Sequence, residues 1–287
     1  MKNEDITDPA FREAVEAIDT GNIIALENLL VLYPRLVWEP LDRPSGDYFQ
    51  HPYLLWFIAD NPIRIKRLPQ NIVDVTRLLV RFVKEESPGS MQRQLDYTLA
   101  LVDTGRIPRE CGVQIALMDL LIDEGATPGD GLGALAHGNK AAAAHLIERG
   151  ATLTLATAVG LDRMNDVERL ILHAHAEERL VALTVAAFDG NTRMLSFLLD
   201  SGVDPNGYPA NNRGFHRHAT PLHQAVYSGS LEAVQLLVQA GASLNAPDKV
   251  YGGTPLGWAK HMQTEEGYDK AAKQRFAQIE SWLQGHL

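Results

Sequence analysis

Thr220-Pro221-Leu222-His223-Gln224-Ala225, continued by Gly229, Val234, Leu236, Leu237, Gly241, Ala242, Asn245 and Asp248, begins again at Thr254-Pro255-Leu256, 34 residues further on. Thr220 is a good helix N-cap, and Pro221 suits the first helical position, where the missing N–H would be an orphan anyway. Leu222, Ala225 and Val226 then form one apolar stripe at i, i+3 and i+4, and Gly229 supplies the left-handed turn that ends a short helix. Leu231, Val234, Leu237 and Val238 form a second stripe, closed in the same way by Gly241. Two helices therefore fit between Thr220 and Gly241.

The same punctuation recurs. Gly138 and Gly150, Gly190 and Gly202, and Gly229 and Gly241 are each 12 residues apart, with Leu146 and Ile147, Leu198 and Leu199, or Leu236 and Leu237 ahead of the second glycine. Leu155 to Val159 with Val167, Leu170 and Ile171 reads as a further unit in which Leu172 stands where the helix-ending glycine belongs. Weaker units are expected at Ala14 to Tyr33 around Gly21, Leu26, Leu29 and Leu30, at Tyr53 to Phe82, and at Leu95 to Ala126. The count is roughly eight, the last acting as a cap. Surplus residues fall between helices, where they leave the apolar stripes in register. These are the Pro-containing stretch Asn61 to Gln70 and the polar stretch Asn206 to His218 with its Asn206-Gly207 and Asn211-Asn212 breakers.

A period of about 33 residues opened by Thr-Pro-Leu-His resembles the ankyrin repeat, a β-turn followed by two antiparallel helices. The likeness is strongest over Leu183 to Lys260 and weakens toward the N terminus, a pattern similar to bacterial ankyrin-repeat proteins with degenerate N-terminal repeats. It implies an all-α ankyrin-repeat solenoid over 1–287, with degenerate repeats in 1–127, clearer ones in 128–260 and a C-terminal capping helix in 261–287. In that last stretch Ala271, Phe276, Ile279, Trp282 and Leu283 form the shielding stripe. For His223 the resemblance implies a structural role, the imidazole tying the turn by hydrogen bonds.

The function that the resemblance implies is a non-enzymatic protein–protein interaction scaffold, binding an unidentified protein through its concave face and hairpin tips. The family's contact positions map onto Phe188 and Asp189, Tyr227 and Ser228, Ala136 and His137, and His261 and Met262. Loop residues Tyr208, Asn211, Asn212, Arg213, Phe215, His216, Arg217, Lys249 and Tyr251 join them, since aromatic residues and Arg anchor interfaces. Phe215 and Tyr208 are equally readable as residues packing the long loop onto the array, and Trp258 as core of the cap.

Composition fits this class: 45% hydrophobic and 22% charged residues suffice for a core distributed between repeats. A formal charge of −10 opposes a phosphate-backbone binder, so no nucleic-acid partner is expected. No run approaches 18 apolar residues, and Met1 to Ala10 has no apolar leader, so the expectation is a cytoplasmic, monomeric protein without a membrane partner or cofactor. Cys111 is the single cysteine and reads as a small core residue. The basic run Arg64, Lys66, Arg67, Arg77, Arg81 and Lys84 reads as a solvated face, with a patch for an acidic partner as the sharper alternative.

Ten histidines raise the alternative of a metal-binding protein or enzyme centred on the 206–218 loop. His216 and His218 could share a metal in extended backbone, with Asp204 the nearest carboxylate in sequence, but two ligands make a poor specific site. His173 and His175, at i and i+2, would not share a helical face. Neither a Gly-x-Ser-x-Gly elbow nor a His-Glu-x-x-His motif occurs. Gly129-Asp130-Gly131-Leu132-Gly133 lacks the Lys-Ser or Lys-Thr of a phosphate loop and reads as a connecting turn. The pairs Glu85 and Glu86, Glu177 and Glu178, and Glu265 and Glu266 read as solvated, because a general acid needs burial to raise its pKa.

Overall fold

Glycine followed by a small polar residue sets the geometry of most helix pairs. Gly21, Gly138, Gly190 and Gly229 all have positive φ, and the next residue (Asn22, Asn139, Asn191 or Ser230) caps the second helix by accepting a backbone N–H three residues on. At Gly190 the requirement is doubled. Its φ is +61°, and a Cβ there would lie 3.1 Å from that of Ser230 and 3.2 Å from the Ser228 hydroxyl. Asp162, with φ 57°, fills the same place ahead of Arg163, a use of the left-handed region open to Asp more than to other non-glycine residues.

The computed structural model describes residues 5–42, 48–209 and 214–287, and every regular element among them is helical. The chain divides into two compact units, 1–152 and 153–287. The first holds α1 (Pro9–Thr20), α2 (Ile23–Leu32), α3 (Ile72–Glu86), α4 (Met91–Asp103), α5 (Arg106–Glu110), α6 (Gln114–Asp123), α7 (Leu132–Ala136) and α8 (Lys140–Glu148), with 3₁₀ turns at Pro34–Val37 and Leu54–Ala59. The second holds α9 (Leu155–Gly160), α10 (Met164–Ile171), α11 (Ala176–Phe188), α12 (Thr192–Asp200), α13 (Pro221–Ser228), α14 (Leu231–Gln239), α15 (Pro255–Thr264) and α16 (Lys270–Gln284).

In the 153–287 unit the first helices of successive pairs, α9, α11, α13 and α15, pack one on the next, while α12, α14 and α16 form the second row. Leu222, Ala225, Val226, Val234 and Leu237 are wholly buried between them, as their stripes require. Each such Leu or Val contributes about 1.5–3 kcal/mol by leaving water. The terminal helix α16 closes the stack through Ala272, Phe276, Ile279 and Leu283; the buried alanine is Ala272, and Ala271 faces solvent.

The 1–152 unit follows the same two-row plan with larger departures. Its first row is α1, the 3₁₀ turn Leu54–Ala59, α4 and α7, and its second row is α2, α3, α6 and α8. Six consecutive apolar residues, Leu54 to Ala59, are all buried, so a tight turn replaces the amphipathic first helix. Asp60 then takes φ 45° with no exposure, and its carboxylate accepts the N–H groups of Arg64 (2.9 Å), Ile65 (3.3 Å) and Lys66 (2.9 Å).

Two expectations fail in this unit. The Arg64 side chain is only 2% exposed, donates to Asp19 Oδ1 at 2.6 Å and lies over the Phe57 ring, so it belongs to the interior and not to a basic face. The remaining cations of that run include Arg77, Arg81 and Lys84, which are paired with Asp74, Glu27 and Glu124. Cys111, expected in the core, is exposed, because α5 ends at Glu110 and the chain turns outward at Gly112.

Candidate interaction site

Thr220 and His223 lock the start of α13. The imidazole Nδ1 accepts the Thr220 backbone N–H at 3.3 Å and meets its hydroxyl at 2.8 Å, while Nε2–H donates to the Gly253 carbonyl at 2.9 Å. His223 thus joins its own turn to the next hairpin, the structural role expected of it. Burial pushes its pKa below 6.5, although the hydrogen bond to Gly253 pulls the other way.

The next hairpin is organised by Asp248, which is 2% exposed. Its Oδ1 accepts from the N–H groups of Val250 (2.9 Å) and Tyr251 (2.6 Å), and its Oδ2 from Gly253 N–H (2.9 Å) and the Trp258 indole (3.0 Å). Burial alone would raise this carboxyl, but the donors, Tyr251 N–H foremost, outweigh it and hold the pKa at about 2. The Lys249 N–H donates to the His218 carbonyl at 2.7 Å, tying one hairpin to the other.

On this frame the aromatic residues gather. Phe188, at the end of α11, stacks on Tyr227 of α13 at 5.3 Å between centroids and meets Phe215 edge-on at 4.9 Å. His216 lies 4.6 Å from Tyr227 and 5.3 Å from Trp258, and His218 lies 5.8 Å from Tyr251 and 5.9 Å from Trp258. Beside them opens a cleft of about 710 Å³, bordered by His216, His218, Asp248, Tyr251, Trp258 and Met262. Trp258, with Tyr227 and Tyr268, also packs on the core of the cap formed by Met262, Ala272 and Phe276.

The expected contact residues separate into three groups. Tyr251 is 82% exposed, Arg217, Lys249 and His261 are exposed, and Phe188, His216 and Tyr227 are half-buried with parts of their rings at the surface. His261 lies 3.0 Å from Glu265. A second group serves the fold. Phe215 is 3% exposed and supports Phe188, so its assignment as a contact residue is corrected to a packing role. Tyr208 donates its hydroxyl to the Pro247 carbonyl at 2.6 Å and carries the Lys249 ammonium 4.2 Å above its ring. Ser228 donates to the Ala225 carbonyl and accepts from the Ser230 N–H. Asp189 follows α11 as its C-cap. Arg213, with Asn211 and Asn212, lies outside the described residues.

Asp248 and Gln224 were missed as site residues. Asp248 could have been found from Asp-x-x-x-Gly-Gly, a short acceptor followed by a turn that presents successive N–H groups to it. Among the described residues, no group of three or more His, Cys, Asp or Glu is placed to hold a metal. His173 and His175 sit between α10 and α11, and the His175 N–H donates to Glu178, which leaves the pair a connecting role.

A stack of paired helices tied by hairpins, with a Thr-Pro-Leu-His turn locked by its histidine, defines a helical-repeat protein. Residues 133–248 match the family model for ankyrin repeats in three copies. It is similar to ankyrin repeat-containing protein P1E11.10 of Schizosaccharomyces pombe, 39% identical over 72 residues, which are 25% of this chain. The match spans 31% of that relative's length. A crystal structure of the human ASB11 ankyrin repeat domain aligns with 95% of this chain and 97% of its own, at 15% identity and a TM-score of 0.33. Ankyrin repeats are in general protein–protein interaction modules. Among the described residues no helix is long and apolar enough to cross a membrane.

Proposed function

We propose that this chain is a non-enzymatic scaffold that captures a protein partner through the aromatic surface of the 153–287 unit. The observation that carries the reading is the convergence of Phe188, Tyr227, His216, Trp258 and Tyr251 from three helices and two hairpins onto one surface. Aromatic side chains combine large contact area with few rotatable bonds, which makes them effective anchors. The proposal extends to a monomer that works in the cytoplasm without a cofactor.

The test uses residues that do not hold the fold. Arg217→Ala, Tyr251→Ala and His261→Ala, combined in the full chain, should abolish capture of the partner recovered by photo-crosslinking from a tyrosine analogue at Tyr227, with helical content unchanged. Equal capture by the wild type and the triple variant would refute the assignment. Sedimentation of the free chain tests the monomer, since a mass that rises with concentration and falls in the variant would mean self-association through the same surface.

A further inference from the structure

The hydrogen bonds around Gln224 determine what the cleft presents to a ligand. Gln224 is wholly buried, and its Nε2 donates to the His216 carbonyl at 3.0 Å. Its Oε1 therefore faces His216 Nδ1, 3.1 Å away, and an amide oxygen there requires Nδ1 to be the protonated nitrogen. Neutral imidazole carries one N–H, so Nε2 keeps its lone pair, and among the described residues no hydrogen bond engages it. Burial pushes the His216 pKa below 6.5, outweighing the opposing Gln224 bond, so this tautomer is the form at neutral pH.

The rest of the cleft has a matching polarity. Trp258 and Tyr251 flank His218 and line the cleft, and aromatic rings of this kind attract cations. Asp248 stays ionised beneath them, and with its oxygens already accepting four N–H groups it supplies negative potential more than a further bond. A cation on an aromatic face already occurs on the same hairpin, where the Lys249 ammonium lies over the Tyr208 ring. The chain as a whole carries a formal charge of −10.

We propose that the cleft bordered by His216, Trp258 and Tyr251 receives the guanidinium of an arginine on the protein partner, stacked on aromatic rings and donating an N–H to His216 Nε2. This rests on the protein-binding reading above. Guanidinium is planar, weakly hydrated and rich in donors, so it can stack and donate at once; ammonium is compact and more strongly hydrated. An anionic group would meet the Asp248 charge and a lone pair, and a purely apolar one would leave Nε2 without a donor.

The experiment titrates the full chain, labelled with ¹⁵N at its tryptophan indoles, with Nα-acetyl-arginine methylamide and with the citrulline, lysine and norleucine analogues. The Trp258 signal is assigned with Trp258→Phe. The arginine probe should shift that signal saturably, and the uncharged citrulline isostere should bind about tenfold more weakly. His216→Phe keeps a ring and removes the acceptor, and should weaken arginine binding several-fold. Tyr251→Ala, at an exposed site, should weaken it with the spectrum otherwise unchanged. Absence of a saturable shift, equal binding of citrulline or norleucine, or lysine binding as tightly as arginine would each overturn the assignment. Partner capture that depends on Tyr251 without arginine binding would sink this inference alone. Arginine binding without variant-sensitive capture would instead sink the scaffold reading.

Discussion

In the 153–287 unit a buried His223 meets Thr220 on one side and Gly253 on the other, so every polar atom of the ring is satisfied by neighbours that the repeat itself supplies. In the 1–152 unit the turn Leu54–Ala59 instead ends on a buried Asp60, which needs Arg64, Ile65 and Lys66 from an inserted loop, with Asp19 from α1 holding the other side of Arg64. Among the described residues, the buried side-chain atoms without a hydrogen-bond partner are Trp56 Nε1, Arg64 Nε and Nη1, Gln94 Oε1 and Asp103 Oδ1, all in 1–152. The repeat motif is therefore a means of satisfying buried polar groups locally. Where the sequence leaves the motif, satisfaction depends on individual long-range contacts and is incomplete.

The largest expected effect tests that dependence. Asp60→Ala removes the acceptor for three backbone N–H groups and leaves Arg64 with one acidic neighbour, so it should destabilise the 1–152 unit by about 3–5 kcal/mol. Region-resolved amide hydrogen exchange should show faster exchange in 1–152 and none of that effect in 153–287; a uniform change would break the comparison. Next comes His223→Ala, which severs the Thr220 and Gly253 ties and leaves a cavity. Its expected cost is about 2–3 kcal/mol, read from exchange in α13 and the 248–253 hairpin.

Opposite responses to pH sharpen the contrast further. Burial, with Asp130 nearby, raises Asp103 from 3.8 to about 8, so between those values the unfolded state has released a proton that the native state keeps. Stability of the 1–152 unit from this group falls as pH rises through that window. Asp103→Asn should remove the slope and raise stability at pH 8 by on the order of 1–3 kcal/mol relative to wild type, with little change at pH 4. His216 and His223 have pKa values lowered from 6.5, so in the 153–287 unit stability is full above that value and is lost as pH falls below it. Urea melts of Asp103→Asn and His223→Ala against the wild type at several pH values check both signs. The smallest effect on stability, within about 0.5 kcal/mol, is expected for Tyr251→Ala, whose consequence should be confined to binding.

The legibility of the sequence follows the same divide. Thr220-Pro221 and Thr254-Pro255 marked helix starts because capping and a fixed φ act within one turn of chain. The Gly-Asn or Gly-Ser step marked the connection between helices for the same reason. Leu54 to Ala59 was legible as an apolar segment but not as a 3₁₀ turn, since six consecutive buried residues carry no period. Arg64 looked solvated because its partner Asp19 is 45 residues away. At the site, the exposed Tyr251 and the half-buried Phe188 and Tyr227 were legible from position in the repeat. Phe215 was ambiguous, since packing or display is decided by which ring it meets. The fixed tautomer of His216 depends on the orientation of a buried amide eight residues away and leaves no mark in composition or spacing.

The saturated carboxylate of Asp248 also bears on kinetics. A hairpin whose N–H groups and following indole are already fastened to one anion has little conformational freedom left to lose when a partner arrives. Tyr251 is therefore displayed from a base ordered in advance, and encounter should proceed without a slow rearrangement, with affinity governed mainly by the rate of departure.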